Sequence, residues 1–518
     1  MRAYSVYLQA EGAELFTAVC LPEEGEKFPT VLMRSPYVDD AQDKPDEEVT
    51  AAAAASQAHF TDAGYAVVVQ HCRGRGRSSG DCVPYIYERE DGLALQEWVR
   101  QQDFYNGELY LVGGSYLSSV HYVTAPFAPD IRGAVLAVQD TERYNVIYRN
   151  GFFKCGLHGG WYVGMYKKKR IPKKNYVPES FLTLPLSDFS RTVLGEPSAD
   201  FDEALRHPKA DDPFWQTRFG GGEARDAVRH ANIPILLVTG FYDIYTGGIF
   251  DMWNRMDETT RAQCALIVHP YDHGCNSTGG QPVRFEGATL TERFGDWQVR
   301  WLNWVRGKEE APARPGQVTY YRLFGEEWRT DAFETSGKTL EFPLGEGERT
   351  YRYNPYAPAR FPGGLSANFG GCAWQDGPDS RYDIVSLFTP AFAADTFVKG
   401  KMRARLRVRS SCEDTCFYIR LSLEKSEGYY GLRDDIQQIS NFRPDYVPGQ
   451  ETELTFCFDE HAFTVKKGER LRIDISSSAF PHYVPHTNRR GLFSEQTTAR
   501  IADNTVILGK SFLTVPVE

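Results

Sequence analysis

The sequence predicts an α/β core that is interrupted by an inserted helical cap and followed by a β-sandwich. Short apolar runs alternate with amphipathic stretches in the first third of the chain and again over residues 233–274. This alternation is typical of a parallel sheet with helices on both faces. From about residue 341, apolar residues occupy every second position, which indicates antiparallel sheet. The predicted domains are a core formed by 1–145 and 231–340, a cap over 146–230, and a β-sandwich over 341–518.

The first core segment contains two predicted helices and four predicted strands. One helix covers Ala51–Ala63, with Thr50 as its N-cap. In the second helix, Leu95, Trp98 and Val99 form one apolar face. The strands are continuous apolar runs, as expected of strands that are buried on both faces: Val31–Met33, Tyr65–Val69, Leu109–Val112 and Gly133–Val138.

The later segments complete the predicted fold. Residues 146–230 lack a strand–helix–strand pattern, so we expect them to form the cap. Two buried strands then lie within 233–243 and 264–274, and a helix within 292–307 follows them. In the last third, strict alternation of apolar and polar residues marks the strands 403–409, 417–424 and 471–476.

Composition and charge exclude several classes of protein. The chain has 518 residues, of which 42% are hydrophobic and 25% are charged, as in ordinary globular proteins. A net charge of −11 disfavours nucleic-acid binding, and no run of apolar residues is long enough to span a membrane. The ten cysteines are scattered and form no CxxC pair. We therefore expect reduced thiols in a cytoplasmic protein, with no metal centre and no organic cofactor.

The segment LYLVGGSYLSS (109–119) carries the strongest chemical signal. A buried strand leads into Gly113, Gly114 and Ser115, and helix-compatible residues follow. This is the context of a nucleophile elbow, in which a sharp turn exposes a serine hydroxyl above the sheet. The usual motif has a second glycine where this chain has Leu117. The alternative is a glycine-rich turn that binds phosphate, although the lysine of a P-loop is missing.

A nucleophilic serine needs a base, and the base needs an acid that orients it. Asp243 follows the predicted strand 233–240, and His273 lies in the loop after the next strand. Ligands in open α/β sheets bind at these strand ends, and the order serine, acid, histidine is typical of this motif. His269 is the competing base, but it lies closer to the strand and is expected to pack against it.

These residues carry a resemblance to the cocaine esterase/X-prolyl dipeptidyl-peptidase family of serine hydrolases. The similarity spans essentially the whole chain, and its motifs occur in the family's order. The matching segments are RSPY (34–37), RGRGRSSG (73–80), EDGLALQEWV (90–99), NGELYLVGGSYLSS (106–119), GFYD (240–243), PYDHG (270–274), YRYNP (351–355), PGG (362–364), KKGERLRIDISSSAFP (466–481) and TVPV (514–517).

The resemblance implies an α/β-hydrolase core, an inserted helical cap and a C-terminal jelly-roll β-sandwich. It also implies roles for individual residues. Ser115 aligns with the nucleophile, Asp243 with the acid and His273 with the base. Tyr37 aligns with a tyrosine whose hydroxyl helps to form the oxyanion hole. The second donor is expected to be the backbone N–H of Tyr116.

The chain departs from the family pattern at three positions near these motifs. Ser118 replaces a glycine that usually stands three residues after the nucleophile. His269 replaces a glycine and Tyr271 a tryptophan in the motif that contains the base. Because the proline and the spacing of His273 are retained, we expect these changes to alter the pocket rather than the base.

Other features have two interpretations each. RGRGRSSG (73–80) is expected to be a structural turn beside the site, with phosphate or RNA binding as the alternative. KKKRIPKK (167–174) is expected to be a solvated surface of the cap, with attraction of anionic substrates as the alternative. Candidates for an apolar acyl pocket are Trp161, Tyr166 and Tyr245, for each of which core packing is the alternative.

Three functions stay open at this stage. The leading one is hydrolysis of a small-molecule ester through an acyl-enzyme. The second is release of X-Pro dipeptides, which needs carboxylates that bind the substrate's ammonium group. In the related α-amino acid ester hydrolases such acids follow the catalytic aspartate, where this chain has Tyr245 and Thr246, so only cap residues such as Glu179 or Asp188 remain. The third is a non-catalytic protein whose sandwich binds a partner. A homodimer is compatible with all three.

Overall fold

Ten strands form one large mixed sheet in the computed structural model of the protein, which describes residues 1–38, 41–128, 130–165, 177–217, 232–275, 283–365 and 370–518. The strands of the first two thirds are β1 (Arg2–Ala10), β2 (Ala13–Leu21), β3 (Phe28–Ser35), β4 (Ala66–His71), β5 (Tyr105–Gly114), β6 (Ile131–Ala137), β7 (Tyr148–Arg149), β8 (Phe152–Phe153), β9 (Ile235–Gly240), β10 (Ala265–His269), β11 (Val318–Arg322) and β12 (Glu327–Asp331).

All of these strands except β7 and β8 join the sheet, in the order β1-β2-β4-β3-β5-β6-β9-β10-β11-β12. The run from β4 to β11 is parallel, while β1, β2 and β12 pair antiparallel at the two ends. Parallel strands must be covered on both faces, and their inner residues are accordingly buried. The carboxyl ends of β5, β9 and β10 therefore lie at the same edge of the sheet, with β6 between β5 and β9.

Helices cover both faces of this sheet. On one face, Trp301 and Leu302 pack against Val135 and Val238. The helices of the described residues are α1 (Asp46–Ser56), α2 (Ala58–Asp62), α3 (Glu88–Arg100), α4 (Tyr116–Tyr122), α5 (Arg143–Ile147), α6 (Gly160–Met165), α7 (Ala199–Ala204), α8 (Pro213–Thr217), α9 (Thr246–Arg255), α10 (Glu258–Gln263), α11 (Leu290–Phe294) and α12 (Trp297–Val305). None of these helices combines the length and the apolar character needed to cross a bilayer.

The predicted start of the first helix is wrong. The helix begins at Asp46 rather than after Thr50, and it is interrupted at Gln57. Pro45 precedes the first turn, and acidic residues fill that turn, where they interact favourably with the helix dipole. The Thr50 hydroxyl is not a cap, because it donates to the Asp46 carbonyl oxygen at 2.7 Å within the helix.

The described parts of the segment between β6 and β9, residues 138–165, 177–217 and 232–234, contain short elements only. After α5, the β7–β8 hairpin leads into a short π-helix at Cys155–Gly159 and then into α6. Two short 3₁₀-helices at Pro178–Leu182 and Leu186–Asp188 and a short π-helix at Ser190–Leu194 follow, before α7 and α8. Aromatic rings pack this segment internally, with Phe181 stacked on Phe189 at 4.1 Å between centroids.

The last third forms an antiparallel β domain of two sheets, so the predicted fold class is confirmed. One sheet has the order β20-β17-β23-β16-β21, with β13 and β14 also paired to β23, and the other has the order β15-β22-β18-β19. The strands are β13 (Lys338–Pro343), β14 (Glu348–Tyr353), β15 (Val385–Phe388), β16 (Thr396–Gly400), β17 (Arg403–Ser410), β18 (Cys416–Lys425), β19 (Gly428–Gln438), β20 (Thr452–Cys457), β21 (His461–Val465), β22 (Arg470–Ser476) and β23 (Ala502–Val517).

Candidate active site

Ser115 lies at a sharp turn between β5 and α4. Its backbone has φ 56° and ψ −128°, a left-handed conformation that a non-glycine residue rarely adopts. The turn is tightly packed, because a Cβ atom on Gly113 would lie 2.2 Å from the Leu117 carbonyl oxygen. A Cβ atom on Gly114 would have 3.9 Å to its nearest neighbour. Only the first of the two glycines is therefore required by space.

Ser118, which replaces a glycine of the family pattern, holds the turn together. Its buried hydroxyl lies 2.9 Å from the Gly113 carbonyl oxygen and 3.0 Å from the Ala137 carbonyl oxygen. The backbone N–H of Ser115 donates to the same Ala137 oxygen at 2.9 Å. The substitution thus ties the turn to β6, and it does not enter the cavity in front of Ser115.

The structure brings together the three residues that the sequence singles out. His273 Nε2 lies 2.9 Å from Ser115 Oγ, and His273 Nδ1 lies 2.8 Å from Asp243 Oδ1. Asp243 is fully buried, and its second oxygen accepts a hydrogen bond from the Thr239 hydroxyl at 2.8 Å. With Nδ1 protonated towards the carboxylate, Nε2 is free to accept the serine proton. Sequence reasoning did not find Thr239, because a threonine inside a strand has no distinguishing pattern.

His269, the competing base, does not reach Ser115. It is the last residue of β10 and is fully buried, with its ring against Gly240. Its Nδ1 accepts a hydrogen bond from the Tyr271 backbone N–H at 3.2 Å. Burial lowers the pKa of His269 to about 4, so the ring is neutral and packs in the core.

Tyr37 lies just after β3, with its hydroxyl in the same cavity as Ser115. The indole N–H of Trp161 donates to the Tyr37 hydroxyl oxygen at 3.1 Å. Although 48% of the Tyr37 surface is exposed, burial of the hydroxyl end raises its pKa, and hydrogen bonding with Trp161 and Ser115 offsets part of that rise. Since Trp161 can only donate, the Tyr37 proton remains available for an acceptor in the cavity.

Arg75 connects the Tyr37 loop to the cap. Its buried side chain donates to the Pro36 carbonyl oxygen at 2.8 Å and to the Met165 carbonyl oxygen at 3.1 Å. Arg73 and Arg77 of the same glycine-rich segment bind Asp91 and Asp46. These contacts support the structural interpretation of RGRGRSSG and not the nucleic-acid one.

Tyr116 is the first residue of α4, so its backbone N–H has no acceptor within the helix. The tyrosine side chain points away from this group into the core. Its hydroxyl donates to Glu88 Oε1 at 2.6 Å and accepts from the Tyr85 backbone N–H at 2.8 Å. These bonds fix the first turn of α4, and with it the direction of the Tyr116 N–H.

A cavity of about 400 Å³ lies in front of Ser115. Two of the three predicted pocket residues, Trp161 and Tyr245, line it, and the Tyr245 ring lies 5.6 Å from the His273 ring. Tyr166 and the basic run 167–174 fall outside the described residues. The lining residues that sequence reasoning missed are Tyr85, Arg143, Val146, Leu157, His158, Gly160 and Ile244.

No carboxylate lines this cavity among the residues that the structure describes. Thr246 binds the Gly240 and Asp243 carbonyl oxygens instead of facing the cavity. Glu179 forms an exposed ion pair with Arg360 at 2.6 Å, and Asp188 is exposed. Neither of these acids lines the cavity, so neither supplies the charge that an ammonium group needs.

A larger groove of about 1050 Å³ lies nearby, between the Gly80–Pro84 segment and residues 197–203. It contains neither Ser115 nor His273. We therefore take the smaller cavity as the site of any chemistry at Ser115.

Comparison with known proteins decides the family. Residues 11–275 match the sequence profile described as X-Pro dipeptidyl-peptidase (S15 family), which is more than half of the chain. Residues 309–512 match that of the X-Pro dipeptidyl-peptidase C-terminal non-catalytic domain. The chain belongs to the X-Pro dipeptidyl-peptidase S15 family. The resemblance drawn from the sequence motifs is confirmed, and the chain is a hydrolase of the S15 type.

Individual relatives agree with this assignment. A cocaine esterase from Rhodococcus sp. (strain MB1 Bresler) is 24% identical over 94% of this chain and 92% of its own length. An aminopeptidase from the marine sediment archaeon Thaumarchaeota archaeon has a similar structure, with a TM-score of 0.84 at 17% identity, covering 100% of this chain and 96% of its own. An α-amino acid ester hydrolase has a TM-score of 0.83 at 18% identity, with the same coverage. The two structures show the same fold.

The C-terminal domain of this S15 chain contacts the loop that carries Asp243. The Tyr242 hydroxyl donates to the Gly431 carbonyl oxygen at 2.8 Å, and the buried guanidinium of Arg433 donates to the Phe241 carbonyl oxygen. Both contacts involve residues directly before the acid. The domain whose family description is non-catalytic therefore positions one of the three hydrogen-bonded side chains.

Proposed function

We propose that the protein is a serine hydrolase that cleaves carboxylic esters through an acyl-enzyme. The observation that carries the proposal is the hydrogen-bonded chain from Ser115 through His273 to Asp243, which begins at a strained turn in front of a cavity. Such a chain supplies a nucleophile, a base and the group that orients the base.

In the proposed reaction, Ser115 Oγ attacks the ester carbonyl carbon and His273 Nε2 accepts the serine proton. The bond to the leaving oxygen then breaks, and His273 returns the proton to the departing alcohol. A water molecule attacks the resulting acyl-serine, with His273 again acting as base. Ser115 recovers its proton as the carboxylic acid leaves. Asp243 stabilises the imidazolium in both halves of the reaction.

Negative charge develops on the carbonyl oxygen in each attack. We assign the Tyr37 hydroxyl and the Tyr116 backbone N–H as the donors that stabilise this oxyanion. Each donor of this kind is worth about 10²–10³ in rate. Support comes from the Trp161 contact, which occupies the Tyr37 oxygen and leaves its proton for the substrate.

The cavity favours esters over X-Pro dipeptides. A dipeptidyl-peptidase must bind the free ammonium group of its substrate, and a buried ammonium needs an opposite charge close by. Besides Ser115 and two histidines, the described lining offers aromatic and aliphatic side chains and one guanidinium. A positive charge in the cavity repels an ammonium group, so we place peptides second.

The test combines labelling with a substrate panel. A fluorophosphonate should add once to the wild-type protein and not to Ser115→Ala, as measured by intact mass. Ser426→Ala, which changes an exposed serine of the β domain, is the matched control and should be labelled like the wild type. An equal adduct on Ser115→Ala would reject the nucleophile.

Substrate class is decided by comparing 4-nitrophenyl esters with Ala-Pro and Gly-Pro 4-nitroanilides. We expect a higher kcat/KM for the esters. Preference for the dipeptide anilides, with the same dependence on Ser115, would make the protein a peptidase and contradict the ester proposal.

A further inference from the structure

Arg143 brings a positive charge to the cavity in front of Ser115. It is the first residue of α5 and follows the carboxyl end of β6, the strand next to β5. Its side chain lines the same cavity as Ser115 and His273. Sequence reasoning assigned no role to this residue.

Two aromatic rings hold the guanidinium. Its central carbon lies 3.9 Å from the centroid of the Tyr85 ring and 5.5 Å from that of the Trp161 ring. Contact with ring faces stabilises a guanidinium without neutralising its charge. Trp161 in turn donates to Tyr37, so the cation lies beside the wall that carries the proposed oxyanion donor.

The charge of Arg143 acts on groups around the cavity. Burial raises the pKa values of Tyr37, Tyr85 and Tyr245, and the charge of Arg143 opposes each of these rises. Burial lowers the pKa of His158 well below its usual value, and Arg143 lowers it further. His158 is therefore neutral, and Arg143 is the one permanent cation among the described lining residues.

Two acidic side chains, Glu88 and Asp140, line a second cavity with Arg143 and bind other groups as well. Glu88 accepts from Arg34 at 2.7 Å and from the Tyr116 hydroxyl at 2.6 Å. Asp140 accepts from the Glu142 backbone N–H at 2.9 Å and from Asn145 at 3.1 Å. Both carboxylates belong to these networks, and neither lines the cavity with Ser115.

We propose that Arg143 forms a carboxylate-binding subsite, so that the preferred substrates are esters that carry a carboxylate away from the scissile bond. The inference rests on the proposed ester hydrolysis at Ser115 and names its substrate class. A guanidinium in a mostly apolar cavity binds a carboxylate through charge-assisted hydrogen bonds, often two at once. The protein as a whole carries a net charge of −11, so the preference for an anion would be local to this subsite.

Two matched pairs of esters test the subsite and locate the carboxylate. The first pair is 4-nitrophenyl hexanoate and mono-4-nitrophenyl adipate, which have acyl chains of equal length and differ in a terminal carboxylate. The second is the methyl ester of 4-(hexanoyloxy)benzoate and the free acid, which place the carboxylate on the leaving group. The readout is the ratio of kcat/KM for the anionic ester to that for the neutral one.

In the wild type we expect kcat/KM to be higher for the anionic ester than for the neutral ester in one of the two pairs. Arg143→Gln should lower the ratio of that pair by about 10–100-fold, the usual effect of losing a hydrogen-bonded ion contact. Arg143→Lys, which keeps the charge, should recover part of the preference. Arg132→Gln removes an exposed arginine of β6 and controls for net charge, so it should leave the ratio unchanged.

Other outcomes overturn the proposal. If Arg143→Gln slows both members of a pair equally, the residue only supports Tyr85 and Trp161. If the wild type prefers the neutral ester in both pairs, the subsite does not bind carboxylates.

Failure of the ester proposal itself is recognised separately. If the wild type hydrolyses no ester, calorimetric binding of monomethyl adipate and of methyl hexanoate to Ser115→Ala decides the subsite alone. Suppose that Ser115→Ala binds monomethyl adipate more tightly than methyl hexanoate, and that the double variant Ser115→Ala/Arg143→Gln loses this difference. The subsite is then supported even though the proposed activity is not. Equal binding of the two compounds rejects it.

Discussion

The hydroxyl group of Tyr37 has one proton to donate and an oxygen that already accepts from Trp161. Tyr37 lines the same cavity as Ser115. A donor that meets the carbonyl oxygen only when negative charge develops there stabilises the transition state more than the bound substrate. Tyr37 therefore belongs to catalysis in our proposal and not to substrate affinity.

Tyr37→Phe should lower kcat by about 10²–10³ with little change in KM, because the variant loses a donor that acts in the transition state. The ring is retained, so the melting temperature should stay near that of the wild type. Steady-state kinetics with a 4-nitrophenyl ester measure the effect. Tyr382→Phe, which changes a tyrosine that is 64% exposed, is the matched control and should leave kcat unaltered. If Tyr37→Phe keeps the wild-type kcat, Tyr37 does not stabilise the oxyanion, and backbone donors such as the Tyr116 N–H must do so.

The same hydroxyl sets an expectation for alkaline pH. A phenol donates only while it is protonated, and burial raises the pKa of Tyr37 above the ordinary value of about 10. The donor therefore stays intact as pH rises, and kcat should not fall between about pH 8 and pH 10 through its ionisation. A pH profile of kcat checks this. If kcat falls between pH 8 and pH 10, and this fall disappears in Tyr37→Phe, the pKa of Tyr37 is not raised.

At the scale of single residues, sequence reasoning found the groups that follow buried strands. Ser115, Asp243 and His273 each come just after such a strand, and strands of one parallel sheet end at the same edge. The Tyr85 side chain reaches the cavity from a turn, and the Arg143 side chain from the first residue of the short helix α5. Their positions depend on aromatic packing between distant parts of the chain, which has no periodic signature in the sequence.

At the scale of elements, the turn between β5 and α4 distinguishes two adjacent glycines. Gly113→Ala would place a methyl group 2.2 Å from a backbone oxygen that cannot move without opening the turn. A shift of about 1 Å at the reacting group costs about 100-fold in rate, so kcat/KM should fall at least that far. The melting temperature should fall as well. Ester hydrolysis and thermal unfolding measure the two effects.

Gly114→Ala is the internal control for that prediction. Its added methyl group would have 3.9 Å to the nearest atom, and Gly114 does not have a positive φ. We expect near wild-type activity. If both alanine variants behave alike, the close approach at Gly113 does not limit the turn.

The helices and strands themselves could be predicted to different degrees. Six of the seven strands in the parallel run were found because continuous apolar runs identify them, whereas β11 was not predicted. The β1–β2 hairpin was missed, since most of β1 is exposed or half-buried at the edge of the sheet and lacks such a run. The start of α1 was misplaced because Thr50 resembles a cap, while Pro45 and the acidic turn after it determine the actual start.

At the scale of the whole molecule, Arg149 joins the cap to the β domain. From the β7–β8 hairpin its guanidinium donates to Asp435 Oδ1 at 2.9 Å, to Asp459 Oδ1 at 2.9 Å and to the Cys457 carbonyl oxygen at 2.8 Å. Only 1% of the Asp435 side chain and 11% of the Asp459 side chain are exposed. The two carboxylates thus depend on a cation from another domain.

Arg149→Met should destabilise the protein by about 3–5 kcal/mol, the usual cost of leaving a buried charge without its partner. Arg149→Lys keeps the charge but cannot reach all three acceptors in the same geometry, so we expect an intermediate loss of stability. Thermal and denaturant unfolding measure both variants. Arg352→Met breaks an exposed ion pair with Asp503 and should change the stability little. If Arg352→Met lowers the free energy of unfolding as much as Arg149→Met does, burial of the ion pair does not explain the effect.

The contacts that Gly431 and Arg433 make with the loop before Asp243 restrict how these domains can be recombined. A chimaera that joins this core to the β domain of a distant relative would keep Ser115 and His273 but replace the groups that hold Phe241 and Tyr242. The hybrid would fold around a serine whose base has lost its orientation. Exchange of substrate specificity between relatives should therefore keep the core and the β domain together, and a grafted cap should retain Arg149 for its contacts with the β domain.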